Sequence, residues 1–178
     1  SGPWIAGDIE ELYSAGVQKV IIFGNCGVLD SKIEDCSIII HTKGFRDEGT
    51  SYHYVSPSET IEINPDYKED FIKILNEYNF DYTEGYTWTT DAFYRETKDK
   101  IKYFKDNGAV CVEMEGTVIA SVCQRLNMKY FTFYYAGDNL DSTVWDKRSI
   151  DGPTNIDKKK EVLLIALELA VVLNNYEY

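Results

Sequence analysis

Apolar positions set the order of elements along the chain. Ile5, Ile9 and Leu12 recur at helical spacing behind Pro3, a residue suited to a helix's first turn, until Gly16 stops them. The apolar run in "VQKVIIFG" (residues 17–24) predicts a buried strand, and "CSIIIHT" (36–42) predicts a second, followed by the polar loop "GFRDEGTSYHYVSPS". Asn64-Pro65 opens a predicted helix with Phe71, Leu75 and Tyr78 on one face. "YTEGYTWTTDAFY" reads as a strand running into a loop, and a lysine-rich amphipathic helix is expected over 96–106. A strand leading into "VCVEMEGTVIA" comes next, then its helix (116–126) and the strand "KYFTFYYAG". The lid-like loop "DNLDSTVWDKRSIDGPTN" leads to an apolar final helix. Strands alternating with helices predict an α/β fold with a largely parallel sheet, and no linker or repeat divides residues 1–178, so one domain is expected.

Charge and composition narrow the function classes. The 178 residues carry 18 basic and 30 acidic side chains, a formal net charge of -12, without a Lys/Arg stripe, so a nucleic-acid backbone or an anionic membrane is not an expected partner. The longest apolar run, 162–173, is interrupted by Glu168 and is too short to span a bilayer. Cys26, Cys36, Cys111 and Cys123 form no C-x-x-C pair and read as buried thiols of a reducing compartment, which makes the cytoplasm the expected location. With His41 and His53 as the only imidazoles, a histidine-rich metal centre is excluded and no metal is expected. The chain opens on Ser1-Gly2-Pro3 without an initiator Met, so it is expected to be a piece of something longer.

Three predicted strand ends carry unusual residues: Gly24-Asn25-Cys26-Gly27, Glu113-Met114-Glu115-Gly116 and Gly137-Asp138-Asn139. In open α/β sheets ligands bind where loops converge beyond the carboxyl ends of strands, so these segments predict one site. Each has a plainer reading as well. Glu115 could complement a helix dipole, Asp138-Asn139 could form a turn, and the glycine-flanked Asn25-Cys26 is a weak phosphate-cradle signal. From the residues alone the chain reads as a small-molecule enzyme.

The blocks "GVQKVIIFGNCGVLD", "FRDEGTSYHY", "GYTWTTDAFY", "VCVEMEGTVIASV" and "AGDNLD" occur in the order and spacing of the nucleoside phosphorylase family, which the chain resembles over nearly its whole length. That family includes purine nucleoside phosphorylases, uridine phosphorylases and methylthioadenosine nucleosidases. The resemblance implies a three-layer α/β/α arrangement around a central mixed, largely parallel twisted sheet. It also implies cleavage of the N-glycosidic bond of a nucleoside, with inorganic phosphate as co-substrate and no organic cofactor. Homo-oligomers, dimers or trimers of dimers, are implied too.

The same resemblance assigns roles. Glu115 is the carboxylate that fixes the ribose hydroxyls and spreads the positive charge of an oxocarbenium-like transition state, and Met114 packs on the ribose face. Glu113, two residues back on the same side of the strand, is expected either to orient Glu115 or to be structural. Asp138 matches the acid for purine N7, which requires a raised pKa. Trp88 matches the base-stacking position of purine enzymes and Phe93 a pocket residue of uridine enzymes, with core packing the alternative for both. Thr97 and Asp99 stand where uridine phosphorylases clamp uracil, which favours purines. Where phosphorylases place an Arg and a Ser or Thr for phosphate, this chain has Ile22 and Asn25; Asn25 and the backbone around Gly27 are the expected oxyanion donors. With that Arg missing, a nucleosidase using water is the alternative to a phosphorylase, and a uridine phosphorylase or a catalytically silent nucleoside-binding relative are further alternatives. The family's N-terminal portion, with a glycine-rich phosphate loop, is expected to be absent before Ser1, leaving the strand at 17–24 without its sheet neighbours.

Overall fold

The computed structural model describes residues 1–175, so the last three residues of the domain expected over 1–178 lie outside the described residues. Helix α1 spans Gly2–Ser14 and leads into strand β1, Lys19–Val28. β2 (Ile38–Asp47) and β3 (Thr60–Glu62) precede helix α2 (Lys68–Glu77). β4 (Tyr82–Thr90), α3 (Lys98–Asp106), β5 (Ala109–Glu113), α4 (Gly116–Leu126), β6 (Lys129–Asn139) and α5 (Ile156–Asn174) complete the chain.

The sheet is mixed, in the order β3-β2-β4-β5-β1-β6. The long ladders β1–β6, β2–β4 and β4–β5 are parallel. β1–β5, β2–β3 and β2–β6 are antiparallel. The β2–β6 pairing, through Ile38 with Tyr135 and Ile39 with Tyr134, joins the two ends of the β2-β4-β5-β1-β6 series and curls the sheet into a ring. That closure joins strands far apart in sequence, which no local pattern encodes.

Side-chain alternation along β6 sorts the helices onto the two faces. Tyr130 packs with Ala6 and Ile9 of α1 and Val118, Ile119 and Val122 of α4. Phe131 and Phe133 pack instead with Phe71 and Leu75 of α2 and Ile165 and Leu169 of α5. A smaller cluster under α3 joins Trp88, Phe104, Phe45 and Leu29. All four cysteines are buried and free. No helix of the described residues is long and apolar enough to cross a membrane.

Several boundaries move relative to the sequence pattern. β1 does not stop at Gly24 but runs through Asn25, Cys26 and Gly27 to Val28, because β6 pairs with it along that whole length. The polar stretch after "CSIIIHT" continues β2 to Asp47 and forms a short 3-10 turn at Thr50–His53, followed by β3. α2 begins at Lys68 rather than at Asn64-Pro65, since Asn64 is buried and spent on β6: its side chain accepts from Thr132 N (2.7 Å) and donates to the Thr132 carbonyl (2.6 Å).

Candidate active site

The three strand ends meet at Gly27. It pairs with Val112 on one side and with Asp138 on the other, which sets β1 between the ends of β5 and β6. A Cβ at Gly27 would stand 2.3 Å from Leu140 Cδ1 and 3.1 Å from Asp138 Oδ1, so a larger residue would require Leu140 to shift. Gly27, expected with Asn25 to donate to an oxyanion, is a buried strand residue paired on both sides. Asn25 also lies within β1, opposite Tyr135. Ile22, at the position where the family resemblance implies a phosphate-binding Arg, packs against the α1/α4 cluster.

At the end of β5, Glu113 is buried and its carboxylate is saturated. Oε1 accepts from Thr87 Oγ1 (2.9 Å) and Thr89 Oγ1 (2.5 Å). Oε2 accepts from the backbone N–H groups of Glu115 and Gly116 (both 2.6 Å) and from the Tyr134 hydroxyl (2.8 Å). Two of these donors are the first N–H groups of α4, so Glu113 caps the helix and complements its dipole, while Thr89 Oγ1 accepts from Thr117 N at 3.1 Å. Burial raises the Glu113 pKa, and donors from Thr89, Glu115, Gly116 and Tyr134 pull it back. A Cβ at Gly116 would come within 2.9 Å of Glu113 Oε1, which explains the glycine at the start of α4.

Because Glu113 does the capping, Glu115 makes no side-chain cap although it occupies the N-cap position. Met114 and Glu115 form the bend between β5 and α4, both half-buried, and Glu115 Oε1 lies 2.5 Å from the Ser1 nitrogen. The two glutamates therefore do not share one side of a strand as expected. One turns into the core, and the other stays at its mouth.

Asp138, near the end of β6, is buried, and burial is the main cause of its raised pKa. The Trp145 indole N–H donates to its Oδ2 at 2.7 Å and, with Arg148, works against that rise, whereas Asp146 adds to it. The loop after β4 approaches from the other side, where burial and the neighbouring Asp138 push Glu96 up to about 7. Neither Trp145 nor Glu96 was singled out from the sequence; a tryptophan seven residues past a strand-end aspartate carries no periodic or motif signal.

The aromatic expectations change places. Trp88 has no exposed surface, stacks on Phe104 with ring centroids 4.4 Å apart, and donates its indole N–H to Asp47 Oδ2 at 3.0 Å. Its strand position turns the ring into the α3 cluster. Phe93, for which core packing was the plainer alternative, is 51% exposed and lies against Tyr94, itself 89% exposed. Thr97 caps α3, accepting from Lys100 N at 3.4 Å. No group of three or more His, Cys, Asp or Glu able to hold a metal ion occurs among the described residues.

Comparison with known proteins fits this arrangement. The phosphorylase superfamily model matches residues 9–171. An uncharacterized protein of Acanthamoeba polyphaga mimivirus is 30% identical over 133 residues, covering 75% of this chain and 51% of its own length. A guanosine phosphorylase of Halorubrum lacusprofundi is 24% identical, covering 68% of this chain and 50% of its own length. A DeoD-type purine nucleoside phosphorylase of Bacillus cytotoxicus is 25% identical, covering 91% and 68%. The chain thus spans about half the length of the first two of these relatives. Among solved structures, the fold matches an AMP nucleosidase of Bacteroides thetaiotaomicron with a TM-score of 0.75 at 17% identity, over 96% of this chain and 67% of that one. It also matches a P. knowlesi homologue of the P. falciparum PNP with a TM-score of 0.77 at 19% identity, over 94% and 67%.

Proposed function

The chain belongs to the phosphorylase superfamily, and on that footing we propose that it cleaves the N-glycosidic bond of purine nucleosides with phosphate, giving the free base and ribose 1-phosphate. The observation that carries this reading is a buried Asp138 of raised pKa near the end of β6, with the half-buried Met114-Glu115 bend at the end of β5 across β1. Asp138 supplies the proton to purine N7 as the bond from C1′ to N9 breaks and its electron pair moves onto the base. Glu115 holds the ribose hydroxyls and offsets the charge developing at C1′, with Met114 against the ribose. A phosphate oxygen then bonds to C1′, and the proton phosphate loses restores Asp138.

The exposed Phe93-Tyr94 pair is the stacking surface for the base in this reading, in place of Trp88. Purine over uracil is supported by Thr97, whose hydroxyl is engaged at the start of α3. The named relatives include guanosine and purine nucleoside phosphorylases. Hydrolysis is the second reading, favoured by the apolar packing of Ile22 and the in-strand position of Gly27, which leave β1 without a cationic phosphate ligand there. Assembly into a homo-oligomer belongs to the same proposal. Apolar surface for it is present in a groove of about 350 Å3 between β1 and α5 and at the exposed Leu163, Leu164, Leu167 and Val171.

The test is to incubate the protein with inosine, guanosine or adenosine, with and without phosphate. Phosphate-dependent release of base with ribose 1-phosphate is the expected result. Free ribose at an unchanged rate without phosphate moves the assignment to a nucleosidase, and no base under either condition contradicts both.

A further inference from the structure

One oxygen of the Asp138 carboxylate is engaged by a side chain of the loop that follows β6. Oδ2 is held by the Trp145 indole at 2.7 Å, and Oδ1 faces β1, 3.1 Å from where a Cβ of Gly27 would stand. The hairpin that carries Trp145 is anchored at its base and not at its tip. Asn139 and Asp146 exchange backbone hydrogen bonds of 2.8 and 3.3 Å. Asp141 is tied to Ser31 N (3.1 Å) and to Lys105 (2.7 Å). At the tip, Val144 is 78% exposed and Trp145 58% exposed, so the indole ring is held by its one hydrogen bond more than by packing.

We propose that Trp145 is a positioning residue that holds Asp138 in the free protein and releases it when a purine enters the site. The inference rests on the assignment of Asp138 as the acid for the base. An N–H donated to a carboxylate stabilises its ionised form, so the tether opposes the protonation that the acid needs. Release leaves burial dominant, with Asp146 on the same hairpin adding to the rise and Arg148 as the opposing cation; Glu96, on the loop after β4, is itself raised by Asp138. A further titratable neighbour is the Cys26 thiol on β1, itself pushed well up by burial. Departure of the indole therefore raises the proton affinity of Asp138 as the base arrives, coupling hairpin movement to acid catalysis.

The variant W145F keeps an aromatic ring and removes the donor, at a position exposed enough to spare the fold. The pH profile of kcat/KM reports the free protein and that of kcat the bound one. The basic limb of kcat/KM is expected at higher pH in W145F than in the wild type, while the limbs of kcat coincide. If both limbs move together the indole stays on Asp138 in the complex, and if neither moves its role is structural; each result overturns the proposal. Absence of turnover on every purine nucleoside counts against the proposed reaction instead. The tether is then read from emission: the wild-type minus W145F difference is expected to change when hypoxanthine is added, and no change refutes the release.

Discussion

Two carboxylates end strands that flank β1, Glu113 on β5 and Asp138 on β6, and burial pushes both above the ordinary carboxylate range. Their surroundings diverge. Glu113 accepts from two threonine hydroxyls, a tyrosine hydroxyl and two backbone N–H groups, all from the packed interior. Asp138 accepts one side-chain hydrogen bond, from an indole on an exposed hairpin tip. A raised pKa alone therefore does not separate a scaffold from a reacting group; what separates them is whether the hydrogen-bonding capacity is already spent on the fold. Glu113 fixes the bend that carries Met114 and Glu115, whereas Asp138 is engaged by one side-chain hydrogen bond from an exposed tip.

The most severe break of this comparison is Glu113→Ala. It strands buried donors from Thr87, Thr89, Tyr134 and the start of α4, and is expected to cost about 3–5 kcal/mol of stability, read as a lowered urea midpoint. A midpoint within error of the wild type would remove Glu113 from the scaffold.

Glu115→Gln should do the reverse. Turnover of inosine is expected to fall by about two to three orders of magnitude with the urea midpoint nearly unchanged, because the side chain caps nothing. Near-normal turnover would contradict the ribose role.

Phe93→Ala sharpens the aromatic side of the account. Loss of a stacking face is worth roughly 1–3 kcal/mol and is expected in KM more than in kcat. An unaltered KM would leave the exposed pair without a part in base binding.

A pH-dependent effect concerns His41, buried on β2 with its ring stacked on Tyr134 at 4.8 Å. Burial lowers its pKa from 6.5 to about 3. The neutral ring contributes stability that is present above pH 6.5 and is lost as pH falls from 6.5 towards about 3. His41→Phe keeps the stack and removes the titration, so its urea midpoint should depend less on pH across that window. Identical slopes would place the acid sensitivity elsewhere.

Much of this was legible in the sequence, and the rest was hidden for physical reasons. The alternation of strands and helices gave the α/β class, and α4 was readable to the residue because its apolar period runs between a glycine and Asn127, which adopts a left-handed conformation. The convergence of the three strand ends was readable as a topological rule, and Gly27 is where it happens. The closure of the ring through β2 and β6 was not, since it depends on contacts distant in sequence. Nor was the division of labour between Glu113 and Glu115. The donors that saturate Glu113 come from β4, β6 and α4, and nothing within "VCVEMEG" says which carboxylate turns inward. The burial of Trp88 was hidden for a similar reason: alternation along β4 makes every second side chain internal, and the packing against Phe104, distant in sequence, sets the face of Trp88.

The most direct test of the central claim pairs Asp138→Asn with two leaving groups in one assay of base release. Inosine needs a proton on its departing base, and a nucleoside with an activated leaving group does not. The account predicts that Asp138→Asn loses about two to four orders of magnitude of turnover on inosine while retaining most of its rate on the activated substrate. Equal losses on both substrates would contradict it and return Asp138 to a turn residue of the β6 end.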